Sequence, residues 1–198
     1  MAKMFLHPTR PLENQPYMAK RKLLTLFLIA GLGFVSAYAQ GSSKAGAKPA
    51  KKIVELKNAQ GQSVGTVELK PVSAGVLLKL NLVNLPPGTH AIHIHQNAKC
   101  EAPDFKTAGG HFNPSGKHHG LENPEGAHNG DMPNIEINAK GKYKGSITNK
   151  MVTLAADVPN SLYSNGGTAV VIHAKADDNK SDPAGNAGDR IACGVFVP

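Results

Sequence analysis

The chain is 198 residues long, enough for one buried core, and it contains 21 Gly and 14 Pro but no Trp. This composition favours a turn-rich all-β domain over a helical bundle and argues against disorder of the whole chain. The net charge is +8, but residues 1–39 hold five Lys/Arg and one Glu, leaving 17 basic and 13 acidic residues, a charge of +4. The lysines are scattered without interleaved aromatic residues, so we expect no nucleic-acid groove.

The N-terminal segment has the three parts of a signal peptide. Basic residues follow Met18, an apolar run extends over residues 23–35, and the small residues Ala37 and Ala39 predict cleavage before Gln40. The apolar run is too short for a lasting membrane span. The alternative, an uncleaved membrane anchor, is disfavoured because glycines interrupt the run and no second span follows.

We therefore expect residues 1–39 to be an N-terminal extension and cleaved signal peptide, with Met18 as a candidate initiator. Residues 40–52 are rich in Gly, Ala, Ser and Lys, a composition typical of a flexible tether. Residues 53–198 are then one exported domain, in the periplasm or the extracellular space, with no stable membrane span after cleavage.

Short β-prone segments recur along this domain between turn signals, as in a β-sandwich or barrel. Gly-containing turns are predicted at residues 59–62 and 139–142. No helix and no internal repeat is predicted. The predicted strands are residues 53–58, 63–70, 76–83, 90–95, 134–138, 142–148, 151–156, 168–174 and 190–197.

Two long segments interrupt the strands, residues 96–133 and 175–189, and both are rich in Gly, Pro, Asn and Asp. Loops of this length in a compact domain are usually functional or disordered. Since these two carry or border most of the histidines, we expect a functional site to be built there.

The two cysteines, Cys100 and Cys193, lie far apart in the sequence. They could form a disulfide, a ligand pair or two separate buried thiols. Their spacing fits no compact thiolate zinc motif, and the predicted export places them in an oxidising compartment, which favours a disulfide.

The histidines have the pattern of a metal site. His93 and His95 are two residues apart on a predicted strand, so their side chains lie on one face, and an isolated pair of this kind is more often an exposed polar face than a site. His173, on a late strand, could join them, and a set of nitrogen ligands suits Cu(II).

The first long loop contains His111, His119, His128 and Asp131, a complete tetrahedral zinc set of three nitrogens and one carboxylate oxygen. Two four-coordinate ions need eight ligands, whereas the two groups supply six histidines and one aspartate. One histidine must therefore serve both ions as an imidazolate, and His111, between the two groups in the sequence, is the predicted bridge.

Four separate motifs resemble those of the copper/zinc superoxide dismutases, over roughly residues 53–198. They are His93-Ile94-His95, Gly110-His111-Phe112-Asn113-Pro114, His128-Asn129-Gly130-Asp131 and residues 185–194. The resemblance implies a flattened eight-stranded antiparallel Greek-key barrel with two long functional loops. It also implies copper and zinc as cofactors and the disproportionation of superoxide to oxygen and hydrogen peroxide.

The resemblance implies roles residue by residue. Copper is assigned to His93, His95, His111 and His173, and zinc to His111, His119, His128 and Asp131. His118, the neighbour of His119, is expected to be exposed, and His90 matches a structural histidine of the family.

Outside the ligand sets, the resemblance makes Asp177 the acceptor of hydrogen bonds from His93 and His119. Arg190 is the cation beside copper that docks the anionic substrate, superoxide. Cys100 and Cys193 match the family's disulfide.

The exported, short-looped form looks most like enzymes of the bacterial envelope, where the protein would remove extracytoplasmic superoxide, as a monomer or homodimer. Between Asp177 and Gly185 the charged loop is shorter than in animal members, and Ala184 stands where a threonine is frequent. The competing hypothesis is a non-catalytic copper/zinc-binding protein of the envelope on the same fold.

Overall fold

The computed structural model describes residues 51–198, so the predicted signal peptide and nearly all of the predicted tether lie outside the described residues. The described part forms nine strands and two single 3₁₀ turns, at Lys106–Ala108 and Ser164–Gly166, without an α-helix. The strands are β1 Lys52–Asn58, β2 Ser63–Val72, β3 Gly75–Leu82, β4 Gly88–His90, β5 Ile92–His95, β6 Ile135–Ile137, β7 Tyr143–Asn149, β8 Thr168–His173 and β9 Arg190–Phe196.

Seven strands form one antiparallel sheet in the order β5-β8-β9-β1-β2-β3-β7, and β4 pairs with β6 in a second ladder. Consecutive strands β1, β2 and β3 form a meander, whereas β8 and β9 reach the other side of β1 by long connections. With β4 and β5 counted as one kinked strand there are eight, and the predicted all-β barrel is confirmed.

The predicted strand over residues 90–95 is divided at Ala91. Its N-terminal part pairs with β6 and its C-terminal part with β8, while Ala91 itself exchanges hydrogen bonds with the main chain of Lys175 and His173. The change of partner separates one continuous sequence pattern into two strands.

The prediction of a strand over residues 151–156 is wrong. Only an isolated bridge between Thr153 and Ser161 occurs there, and Asp157 has a φ of 58°, which turns the chain away from any ladder. Val152 is nonetheless 2% exposed and packs on the barrel core. The apolar residues of this segment are therefore buried as a loop.

Apolar and polar residues alternate along the strands, and the apolar side chains fill the interior of the barrel. On β3, Leu78, Leu80 and Leu82 are buried while Lys79 and Asn81 between them are exposed, as the two-residue period of a strand requires. The buried side chains of the other strands meet these leucines in one continuous core. Removing this apolar surface from water is the main source of stability.

Strands β5 and β8 are buried on both faces. Ile92 and Ile94 point into the barrel core, and the opposite face carries His93 and His95. The loop between β5 and β6, residues 96–134, is called here the long loop, and the loop between β8 and β9, residues 174–189, the short loop. These two loops cover the outer face.

A second apolar cluster fixes the start of the long loop to the sheet. Phe105 and Ala108 of the loop pack on Ala169 and Val171 of β8. Beside them, Cys100 and Cys193 form a disulfide between the long loop and β9, with their Cα atoms 5.6 Å apart. The disulfide favoured from the sequence is thus present. No helix among residues 51–198 is long and apolar enough to cross a membrane.

Candidate metal centre

Four histidines converge on the outer face of β5 and β8. His93 and His95 lie on β5, His173 ends β8, and His111 reaches them from the long loop through a bridge to the main chain of His95. All four are buried. One ring nitrogen from each lies within 4.8 Å of the others, a spacing that could hold a metal ion.

Hydrogen bonds at the far sides of the rings orient these nitrogens. His95 Nδ1 lies 2.9 Å from the Gly109 carbonyl and His173 Nδ1 lies 3.3 Å from that of Gly188. Carbonyls accept, so Nδ1 of each ring carries the proton and each Nε2 presents a lone pair, the two Nε2 atoms being 3.4 Å apart. The cluster thus presents unprotonated nitrogens, as a metal requires.

Two ring nitrogens in this cluster lack any hydrogen-bond partner among the described residues. They are His93 Nδ1 and His111 Nε2, and both are fully buried. A buried polar atom without a partner is costly, so its presence needs an explanation. A nitrogen-ligated metal such as copper fits this donor set.

A second cluster lies next to the first, within the long loop. Nδ1 atoms of three histidines surround Oδ1 of Asp131, at 2.9 Å for His111, 3.1 Å for His119 and 3.4 Å for His128. The four residues are buried and their ligand atoms are mutually within 4.8 Å. Three nitrogens with one carboxylate oxygen match the four ligands of a closed zinc site.

His111 belongs to both clusters. Its Nδ1 faces Asp131, while its Nε2 is the unpartnered atom on the side of His93, whose ring centroid is 4.0 Å away. One imidazole therefore presents one nitrogen to each group of ligands.

Asp177 of the short loop joins the two clusters on their other side. Its two carboxylate oxygens lie 2.7 Å from His93 Nε2 and 3.0 Å from His119 Nε2. These contacts occupy the far nitrogen of each ring and leave both Nδ1 atoms facing the candidate sites. A residue that the sequence did not predict, Asn134, fixes the main chain of Asp177: its side-chain amide donates from Nδ2 to the Asp177 carbonyl and accepts the Asp177 N–H at Oδ1, both at 2.9 Å.

Gly185 makes this arrangement possible. It has a φ of 61°, and a Cβ at this position would lie 1.8 Å from Asp177 Oδ1 and 2.7 Å from His119 Nε2. Any side chain at residue 185 would therefore displace the carboxylate from the ring.

Burial and charge set the proton occupancy of the ligands. Burial, reinforced by the neighbouring rings, lowers the pKa of His111 to about 4 and that of His173 to about 3. Burial also acts on His119, but hydrogen bonds to Asp131 and Asp177 outweigh it and raise the pKa of His119 to about 9. Without metal, His119 therefore holds a second proton between two carboxylates.

Arg190, at the start of β9, stands at the edge of the first cluster. Its guanidinium donates to the carbonyls of Phe105 and Gly109, both at 2.7 Å. It borders an open surface pocket of about 460 Å³ whose charged lining also includes Asp104, Lys106 and Asp189. A half-buried cation in a fixed orientation beside an open pocket can receive a small anion.

Two further histidines among residues 51–198 lie outside both clusters. The ring of His90 is buried, with its nitrogens 2.7 Å from the His173 carbonyl and 2.9 Å from that of Pro86, so neither is free for a metal. His118 has a side chain 57% exposed and pairs with Asp182. The structure thus brings the seven residues predicted as metal ligands into the two clusters and leaves His90 and His118 outside them.

Comparison with known proteins identifies the family. The model of the family described as copper/zinc superoxide dismutase (SODC) matches residues 63–196. "Superoxide dismutase [Cu-Zn] 2" of Aquifex aeolicus is 54% identical over 147 residues, covering 74% of this chain and 86% of the relative.

Solved structures that are similar to this chain indicate the same family. The crystal structure of a SOD-like protein from Bacillus subtilis has a TM-score of 0.72 at 37% identity, over 75% of this chain and all of that one. Cu/Zn superoxide dismutase from Brucella abortus has a TM-score of 0.60 at 31% identity, over 74% and 99%. The predicted family and its cofactors, copper and zinc, are confirmed at the level of the family: the chain belongs to the copper/zinc superoxide dismutases.

Proposed function

We propose that the protein converts two superoxide anions and two protons into O₂ and H₂O₂ at a copper ion held by His93, His95, His111 and His173. A structural zinc would be held by His111, His119, His128 and Asp131, with the imidazolate of His111 shared by both ions. The observation that carries this proposal is the placement of the two ring nitrogens of His111, one in each cluster.

When bound, copper supplies the group that accepts an electron from one superoxide and returns it to the next, and zinc supplies a fixed positive charge. The protein's part is to hold the ligands before either ion arrives. Gly109, Gly188 and Asp177 fix the ring orientations through hydrogen bonds to the far nitrogens. Such partners typically account for about 10–100-fold in metal affinity or activity.

His111 has a further role in proton transfer. Its Nδ1 lies on the zinc side, 2.9 Å from Oδ1 of Asp131, so a zinc ion held there would keep the ring in its orientation while Nε2 is free. Its Nε2, on the side of the copper ligands, can then hold a proton next to the substrate. Formation of peroxide consumes such a proton, and solvent supplies the other.

Arg190 binds and orients the substrate in this proposal. Two carbonyls hold the guanidinium, which therefore presents its charge to the pocket in one orientation. Since no covalent intermediate with the protein is needed, encounter can limit the rate, and the local field then matters.

Export is the location that fits this function, and the disulfide supports it because such bonds persist in oxidising compartments. The protein would then remove superoxide outside the cytoplasm. Whether it acts as a monomer or homodimer stays a prediction.

The second candidate is a non-catalytic copper/zinc-binding protein, and the description of one similar structure as SOD-like keeps it in view. Superoxide removal by the metal-loaded protein, compared with the metal-free protein over a range of salt concentrations, separates the two. We expect fast removal that slows with added salt. Stoichiometric copper without superoxide removal would establish the binding protein instead.

A further inference from the structure

The short loop contacts the middle of the long loop through Asp182. Its Oδ1 accepts the main-chain N–H of His119 at 2.6 Å, and its Oδ2 lies 2.5 Å from His118 Nδ1. Both carboxylate oxygens are thus engaged by consecutive residues of the long loop. This pairing joins two segments more than sixty residues apart in the sequence.

His119 is therefore held at two places by the short loop. Asp177 accepts from its ring Nε2 at 3.0 Å, and Asp182 accepts from its main-chain N–H. The following N–H, of Gly120, goes to Oδ2 of Asp131 at 2.9 Å. The ring and the backbone of one candidate zinc ligand are thereby both fixed by carboxylates.

The bond to Asp182 differs from the exposed ion pair between the two loops because it holds the main chain of a buried residue, His119, although the Asp182 side chain is itself 42% exposed. A carboxylate accepting from a main-chain N–H makes a short, charge-assisted hydrogen bond, about twice as strong as a neutral one. The nearby ion pair between Lys180 and Glu122 spans 3.0 Å, but both of its side chains are more than 60% exposed. An exposed pair of this kind contributes little.

We propose that Asp182 is a positioning residue for zinc: by fixing the backbone of His119 while Asp177 fixes its ring, it slows the release of the ion. The inference rests on the proposed zinc site and extends it to the short loop. The short loop thus holds the ring and the backbone of His119 in place for zinc. Asp182 does not line the pocket beside Arg190.

The experiment measures the transfer of zinc from the fully metal-loaded protein to a chromogenic chelator. We expect Asp182→Ala to accelerate zinc loss about tenfold or more, as for other partners that orient a metal ligand. Asp182→Asn should lie between it and the wild type, because the amide oxygen still accepts the N–H without the charge. Lys180→Ala, which removes the exposed pair between the same loops, is the matched control and should release zinc at the wild-type rate.

Two spectroscopic readings distinguish positioning from a general loss of structure. With Co(II) in the zinc site, Asp182→Ala should shift the visible absorption bands, while the electron spin resonance signal of copper keeps its wild-type form. Equal acceleration by Lys180→Ala, or copper and zinc lost at equally increased rates, would overturn the proposal. If Asp182→Ala fails to fold, a wild-type rate for Asp182→Asn overturns it.

The same assay separates this inference from the function on which it rests. A wild-type protein that binds no zinc would refute the proposed zinc site itself. Tightly held zinc in the wild type and in Asp182→Ala alike would refute only the role of Asp182.

Discussion

Arg190 and His95 hydrogen-bond to the same main-chain oxygen, that of Gly109, at 2.7 Å from the guanidinium and 2.9 Å from the imidazole Nδ1. The proposed substrate-docking cation, Arg190, and one candidate copper ligand, His95, are therefore placed by one peptide group. Gly109 has a φ of 78°, and a Cβ there would lie 2.7 Å from the side chains of Gln96 and Asn97. The shared oxygen thus depends on a glycine that the sequence analysis did not single out.

Substitution of Arg190 should separate docking from metal binding. Arg190→Glu reverses the charge at the pocket, so we expect superoxide removal to fall at least about tenfold and its inhibition by salt to disappear. Arg190→Lys keeps the charge but not the two carbonyl contacts, and should retain more activity. Pulse radiolysis measures the rates, with copper content as the control; full activity in Arg190→Glu would contradict the docking role.

His111→Ala should affect both metals, because it removes a nitrogen from each cluster. We expect changes in the copper electron spin resonance signal and in the Co(II) spectrum of the zinc site together. His173→Ala and His128→Ala serve as controls, since each belongs to one cluster only. A His111→Ala protein with one of the two spectra unaltered would argue against a shared ligand.

Metal loading should release protons at pH 7. In the metal-free protein His119, with a pKa raised to about 9, carries two ring protons, and zinc must displace the one on Nδ1. His111, with a pKa lowered to about 4, starts neutral and loses its remaining ring proton only when both metals share it. Calorimetry in buffers of different ionisation enthalpy should detect about one proton with zinc and about one more with copper. A single proton in total would contradict the imidazolate.

The stability of the metal-free protein should peak near neutral pH. His111 and His173 have folded pKa values of about 4 and about 3, below the unfolded value of about 6.5, so the unfolded state binds more protons as the pH falls from there and stability decreases. His119 acts in the opposite sense, because its stabilising proton is lost as the pH rises towards 9. Urea unfolding between pH 4 and pH 9 should show the loss of stability on both sides of neutral pH. His119→Gln should reduce the loss of stability at alkaline pH. A midpoint independent of pH would refute these shifts.

Loss of the disulfide should destabilise the fold and loosen the docking cation. The bond closes a loop with a sequence separation of 93, worth about 4.7 kcal/mol on the chain-entropy model, and its removal should lower the Tm by roughly 10–20 °C. Since Phe105, which anchors Arg190, lies in the segment it fixes, activity should fall as well. Differential scanning calorimetry of the Cys100→Ser, Cys193→Ser double variant tests this; a reductant should change the wild type but not the variant.

Much of the fold was predictable because local patterns are visible in the sequence. Alternating residues such as Leu78, Leu80 and Leu82 identify β3, and Gly-containing turns delimit the hairpins. The candidate metal ligands could be predicted for a similar reason: histidine and aspartate are few, and their order along the chain matches that of a family. Residue type and spacing carry that information without knowledge of partners.

The rest depends on partners distant in sequence. The kink at Ala91 arises from pairing with β6 on one side and β8 on the other, which no local pattern contains. Val152 has the apolar character of a strand residue, but no neighbouring strand pairs with its segment. Asp182 resembles any solvated loop acid until the long loop is placed against it. Sequence spacing alone could not locate these contacts.

Strand β9 lies between β8 and β1 in the sheet although it is the last of the nine in the chain. During synthesis, β1 and β8 leave the ribosome with unpaired edges and cannot be joined until β9 follows. Folding is thus delayed until nearly the whole domain has been made, and pairings this distant form slowly. The candidate copper ligands His93, His95 and His173 can meet through the direct pairing of β5 with β8, but Arg190 on β9 joins them only in that closing step. The candidate site should therefore be complete only after the domain has been synthesised.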